Sequence, residues 1–121
     1  GKYDFSFSGL KTAALRLIKS FDANDIPIKD ISASFQENVS STLLKKTLKA
    51  ADDFKINKIA LAGGVAANSE IRRKFFELQN SGFEVFAPEI QYCTDNAAMV
   101  ASCAYFLSNI SDELDIEVFS R

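Results

Sequence analysis

Polar and apolar positions along this chain change period several times, and each change predicts an element. Tyr3, Phe5 and Phe7 alternate with Lys2, Asp4, Ser6 and Ser8. That period of two predicts a short, half-buried strand, broken at Ser8-Gly9. Leu10, Ala13, Ala14, Leu17, Ile18 and Phe21 then recur at helical spacing, with Lys11, Arg16 and Lys19 off that face. The segment "FDANDIPIKD" is rich in turn formers. Pro27 suits the start of a second helix, with Asp30 as a candidate cap. Ile31, Phe35, Val39, Leu43 or Leu44, Leu48 and Ala51 carry that helix to about Asp53.

The next run, "INKIALAGG", is almost continuously apolar and too short for a globular helix. It predicts a parallel strand buried on both faces. A third helix follows from Asn68 or Ser69, marked by Ile71, Phe75, Phe76 and Leu78, and Ser81-Gly82 stops it. "FEVFAP" predicts a second short strand ended by Pro88. "TDNAAMVASCAYFL" predicts a fourth helix capped by Thr94 or Asp95. The tail from Ser111 is acidic and weakly patterned. Alternating strands and helices at this spacing predict the α/β class, with short, mostly parallel strands, about four helices and a right-handed crossover. No repeat or boundary divides the chain, so residues 1–121 are expected to form one domain.

Composition narrows the function. Hydrophobic residues at 47% and charged residues at 25% of 121 positions describe a folded domain, not a disordered one. The net charge of -2 gives no overall attraction to nucleic acid or to an acidic membrane surface, and leaves room for a local basic patch. No run reaches the roughly 20 apolar residues of a membrane helix. Cys93 and Cys103 form no CxxC pair and no disulfide framework, which predicts reduced, packed thiols in a cytoplasmic protein. The absence of histidine excludes imidazole catalysis within this chain. The only methionine is Met99, and the chain opens inside patterned structure with no leader. These features predict a piece of a longer protein.

Two short stretches carry candidate chemistry. Gly63 and Gly64 stand where a parallel strand gives way to a helix. There they let a ligand approach the backbone, and the helix start beyond them suits a phosphate. A tight turn that needs no side chain explains the pair equally well. Asn68 either caps the helix or offers an amide to a base or ribose. Asp95 either caps the fourth helix or ligates a metal that bridges to nucleotide phosphates. Crossover geometry would bring both stretches to the same edge of the sheet, where α/β proteins bind ligands.

"FSFSGLKTAAL", "ISASFQENV", "LAGGVAANSEIRRKF" and "YCTDNAAMVA", in that order, resemble the C-terminal motifs of the tRNA N6-adenosine threonylcarbamoyltransferase family. The resemblance covers almost the whole chain. It implies an actin/hexokinase-like ATPase fold, two α/β lobes around a nucleotide cleft, with this chain forming part of the second lobe. It implies transfer of a threonylcarbamoyl group from threonylcarbamoyl-adenylate to N6 of the adenosine next to the tRNA anticodon. A divalent transition metal, iron or zinc, is implied as cofactor, with ATP or the acyl-adenylate as ligand. An inactive paralogue and a small ATPase are the implied protein partners. Gly63 and Gly64 match the family's nucleotide loop, Asn68 its adenylate-contacting asparagine and Asp95 its metal ligand. Ser8, Gly9 and Lys11 fall in a family motif with no role assigned.

The chain also departs from the family pattern. Members are more than twice as long, and their histidine metal ligands lie in an N-terminal lobe that this chain lacks. One carboxylate does not make a transition-metal site, so the isolated chain is expected to be inactive. No side chain suits a nucleophile, and the family's older endopeptidase label finds no support. Three rivals stand beside this reading. One is a small-molecule kinase of the same superfamily fold. Another is the inactive paralogue acting as a binding module, against which Asp95 argues. The third is an α/β interaction domain without an active site.

Overall fold

The computed structural model describes residues 2–22 and 24–107. Helix α1 (Phe7–Ile18) and the long helix α2 (Ile28–Phe54) come first. Strand β1 (Lys58–Ala60), helix α3 (Ser69–Glu77), strand β2 (Glu84–Phe86) and helix α4 (Ala97–Phe106) follow. Short 3-10 turns at Gly64–Ala67, Leu78–Ser81 and Ile90–Tyr92 fill the connections. The two strands are parallel, with Ile59 opposite Val85. Pairing continues past both ends, through Leu61 N–H to the Phe86 carbonyl and Glu84 N–H to the Asn57 carbonyl, each at 2.8 Å. With α3 as the crossover this is a βαβ unit, and the chain is of the α/β class expected.

The opening alternation does not make a strand. Residues 2–6 are irregular, and α1 starts at Phe7 and runs straight through Ser8-Gly9. Among the described residues no strand pairs with this segment, so its aromatic rings are used differently. Phe5 and Phe7 stack with centroids 6.2 Å apart, and Tyr3 lies 5.8 Å from Phe54 of α2. The Tyr3 hydroxyl donates to Asp53 at 2.6 Å, and Lys46 donates to the Asp4 carbonyl.

Pro27 occupies the position before α2 and makes no side-chain cap, and Asp30 stands in the first turn as a favourable charge, not as the cap. It ends without a glycine. Lys55 takes the left-handed conformation (φ 56°), and Ile56 N–H reaches back to the Ala51 carbonyl at 2.9 Å. That is a Schellman closure built on a residue type that strains to adopt it.

The core gathers on one face of the sheet. Ile59 and Val85 pack with Ile71 and Phe75 of α3, and Val39, Leu43 and Leu44 of α2 close around them. Neighbouring strand residues point to opposite faces. Lys58, Ala60, Glu84 and Phe86 are accordingly exposed, and Phe86 keeps 55% of its surface in solvent. β1 is therefore not buried on both faces as its apolar run predicts, because among the described residues no second layer covers the other side. Helix α4 shows the same mismatch: it is apolar, yet none of its residues is buried. Among the described residues no helix is long and apolar enough to cross a membrane. The acidic tail read from Ser111 lies outside the described residues.

Candidate functional site

The carboxyl end of β1 leads directly into the double glycine, and the two residues serve different purposes. Gly63 sits at φ 80° and ψ 172°, a region open essentially to glycine alone. Gly64 has no such requirement. A Cβ built on it would meet only the Thr94 methyl, at 4.0 Å. The loop then enters the 3-10 turn, closed by Ala66 N–H to the Gly63 carbonyl at 2.9 Å and Asn68 N–H to the Val65 carbonyl at 3.0 Å. A 3-10 turn thus separates the glycines from the α-helix, whose start agrees with the expected Asn68 or Ser69. Helix α3 begins only at Ser69, and Asn68 caps it by accepting from Ile71 N–H at 3.0 Å.

The second stretch follows β2. After Pro88 the chain makes the Ile90–Tyr92 turn, buries Cys93, and reaches Thr94-Asp95-Asn96. The cap of α4 is Asn96, not Thr94 or Asp95. Its side-chain oxygen accepts from Met99 N–H at 2.9 Å, and its amide donates to the Thr94 carbonyl at 2.8 Å. An asparagine one residue later does the capping, so the Asp95 carboxylate has no part in holding the helix and is exposed.

The two strand ends meet. Ala62, Gly63 and Gly64 from the first, with Pro88, Tyr92, Cys93, Thr94, Asp95 and Met99 from the second, line one open concavity of about 480 Å³. Arg72 ties its walls together from behind. The guanidinium donates to the Ala66 carbonyl and to the Pro88 carbonyl, each at 3.0 Å, and approaches Cys93 Sγ at 3.8 Å.

Of the residues singled out from sequence, Gly63, Gly64 and Asp95 come together in this concavity. Asn68 does not line it. Ser8, Gly9 and Lys11 lie in the first turns of α1, exposed. Cys93 packs as expected, whereas Cys103 is exposed on α4. Sequence reasoning missed Thr94, Tyr92, Met99 and Arg72. Only Arg72 carried a signal: a cation in the first turn of a helix, where the helix dipole disfavours it.

A parallel βαβ unit with an open concavity beyond both strand carboxyl ends has the arrangement in which α/β proteins commonly hold ligands. Set beside known proteins, this chain belongs to the tRNA N6-adenosine threonylcarbamoyltransferase family, whose model matches residues 1–102. It is similar to tRNA N6-adenosine threonylcarbamoyltransferases of several bacteria. Identity is 50% over 118 residues with that of Thermosipho africanus and 51% over 116 residues with that of Thermosipho melanesiensis. Each alignment covers 95% of this chain, and 36% and 35% of the respective relative. With that of Microcystis aeruginosa identity is 46% over 123 residues, covering 98% of this chain and 36% of the relative. The chain thus spans about a third of the length of the curated relatives it matches.

Proposed function

We propose that this chain is the C-terminal part of a tRNA N6-adenosine threonylcarbamoyltransferase, in one lobe of an actin/hexokinase-like fold. On this reading its concavity is the adenylate side of the active site. The observation that carries the reading is the meeting of the Gly63–Gly64 loop and Asp95 in one concavity, in a chain of this family.

The N6 amine of the adenosine beside the anticodon attacks the carbonyl of threonylcarbamoyl-adenylate. A C–N bond forms, the bond from that carbonyl to the phosphate oxygen breaks, AMP leaves with the electron pair, and N6 gives up a proton. The carbonyl arrives already activated, so the protein's task is to orient two reactants and stabilise charge on the leaving phosphate. Gly63 and Gly64 let the phosphate approach the backbone, where Gly64 and Val65 N–H groups head the 3-10 turn as donors. Asn68 lies outside the lining and has its oxygen committed to the helix cap, so only its amide nitrogen is left for a part of the adenylate that extends beyond the concavity.

A bare carboxylate beside a phosphate repels it, so Asp95 calls for a cation. We assign it as one ligand of the divalent transition metal, iron or zinc. Among the described residues no group of three or more His, Cys, Asp or Glu stands together to hold a metal. The described residues do not make a complete site, and no step of the transfer is routed through the ion. The other ligands, and the rest of the substrate pocket, belong to the remaining length of the protein. The isolated chain is therefore inactive. The complete protein works in the cytoplasm on tRNA, with an inactive paralogue and a small ATPase as partners.

The test is product formation by the full-length protein with its partners and tRNA, read as threonylcarbamoyladenosine by mass spectrometry. Asp95→Ala is expected to slow the reaction about 100-fold or more. Modification at the wild-type rate by that variant would remove Asp95 from the site.

A further inference from the structure

Arg72 stands where a positive charge is disfavoured, in the first turn of α3. Its neighbour Arg73 has the usual explanation, ion pairs to Glu70 at 2.6 Å and Glu77 at 2.5 Å. Arg72 takes backbone carbonyls instead. One arm reaches Ala66 in the 3-10 turn after the glycines, and the other reaches Pro88, where the chain leaves β2. The first arm also touches Cys93 Sγ, which itself lies 3.6 Å from the Glu89 carbonyl. The ring of Phe76, one turn along the same helix, lies 5.8 Å from the guanidinium carbon. The planar group thus meets both loops that wall the concavity, and its plane is fixed from three sides. Guanidinium geometry makes this possible: rigid, divergent donors span two acceptors that a single ammonium cannot hold together.

We propose that Arg72 is a positioning residue: by bridging the Ala66 and Pro88 carbonyls it sets the spacing between the Gly63–Gly64 loop and the Thr94–Asp95 loop, and so the fit of the acyl-adenylate between them. The part concerning the acyl-adenylate rests on the transferase reading; the bridge itself does not. Arg72 does not line the concavity and touches no reacting atom. It acts through the two loops.

The test uses the full-length protein and two variants, Arg72→Lys, which keeps charge and stem, and Arg72→Ala. The first readout is hydrogen exchange. Both variants are expected to speed exchange in residues 62–67 and 88–95 together, with the middle of α2 unchanged. The second is steady-state kinetics. KM for threonylcarbamoyl-adenylate is expected to rise about 10- to 100-fold with KM for tRNA unchanged, and lysine is not expected to rescue it. Unchanged exchange in the two loops overturns the bridge. A lowered melting temperature with an unchanged acyl-adenylate KM overturns the positioning role and leaves Arg72 as scaffold. If the wild-type protein forms no product, the transferase reading fails, and the exchange readout still decides the bridge.

Discussion

Gly63 and Gly64 are the same residue type side by side, yet only one of them needs to be glycine. The backbone of Gly63 lies where a side chain strains it, whereas Gly64 only faces the Thr94 methyl at an ordinary contact distance. Gly63→Ala is expected to destabilise the loop by about 1–3 kcal/mol. Gly64→Ala is expected to stay within about 0.5 kcal/mol. Denaturant unfolding of the two variants checks this, and equal effects would contradict it. Sequence located the pair correctly but could not divide the work, because φ is not written in a residue's identity. The two capping residues teach a related lesson. Asn68 and Asp95 are both plausible caps by type and position. The structure makes a cap of Asn68 and, through Asn96, relieves Asp95 of that role. Neighbouring asparagine and aspartate compete for one cap, and local sequence does not decide the winner.

Among the elements, the helices were legible wherever an apolar stripe ran for several turns, as in α2 and α3. Where an element depends on a neighbour, the local pattern misleads. The alternation of Tyr3, Phe5 and Phe7 has the strand period, but without a strand beside it the rings settle against each other and against α2. The end of α2 was found at about Asp53 even though its left-handed closing residue, Lys55, carries no glycine signal. Surface charges tie these elements together. Lys74 of α3 bonds Glu37 of α2 at 2.6 Å and Ser41 at 2.9 Å. Lys2 pairs with Asp53 at 2.7 Å. Lys74, then Ser41, hold Glu37 below its ordinary 4.5. Arg73 does the same for Glu70, and Lys2, then Tyr3, hold Asp53 below its ordinary 3.8. A lowered folded-state pKa adds stability that is fully present above the unfolded value and fades as pH falls through the folded one. Stability is therefore expected to hold down to about pH 4.5 and to decline below it. Glu37→Gln should make that decline shallower. An acid titration of the unfolding midpoint that stays flat to pH 2 would contradict this. Glu37 and Asp53 are exposed and Glu70 is half-buried at the surface, so each contribution is small.

At the scale of the whole molecule, the described residues have a small core and much uncovered apolar surface. Phe86, Val100, Tyr105 and Phe106 keep 55%, 63%, 78% and 78% of their surface exposed. The expectation that β1 is buried on both faces came from its composition, and composition reflects every layer a strand meets. The described residues supply one such layer, the α2 and α3 side, and the chain spans about a third of its relatives' length. What sequence did convey at this scale was the crossover, and with it the meeting of the two strand ends around one concavity. The most direct measurement is hydrogen exchange on the full-length protein, with and without a non-reactive analogue of threonylcarbamoyl-adenylate. Segments 62–67 and 92–96 are expected to gain protection together when the analogue binds. Protection of one segment with the other unchanged would mean that the glycine loop and Asp95 do not share a ligand.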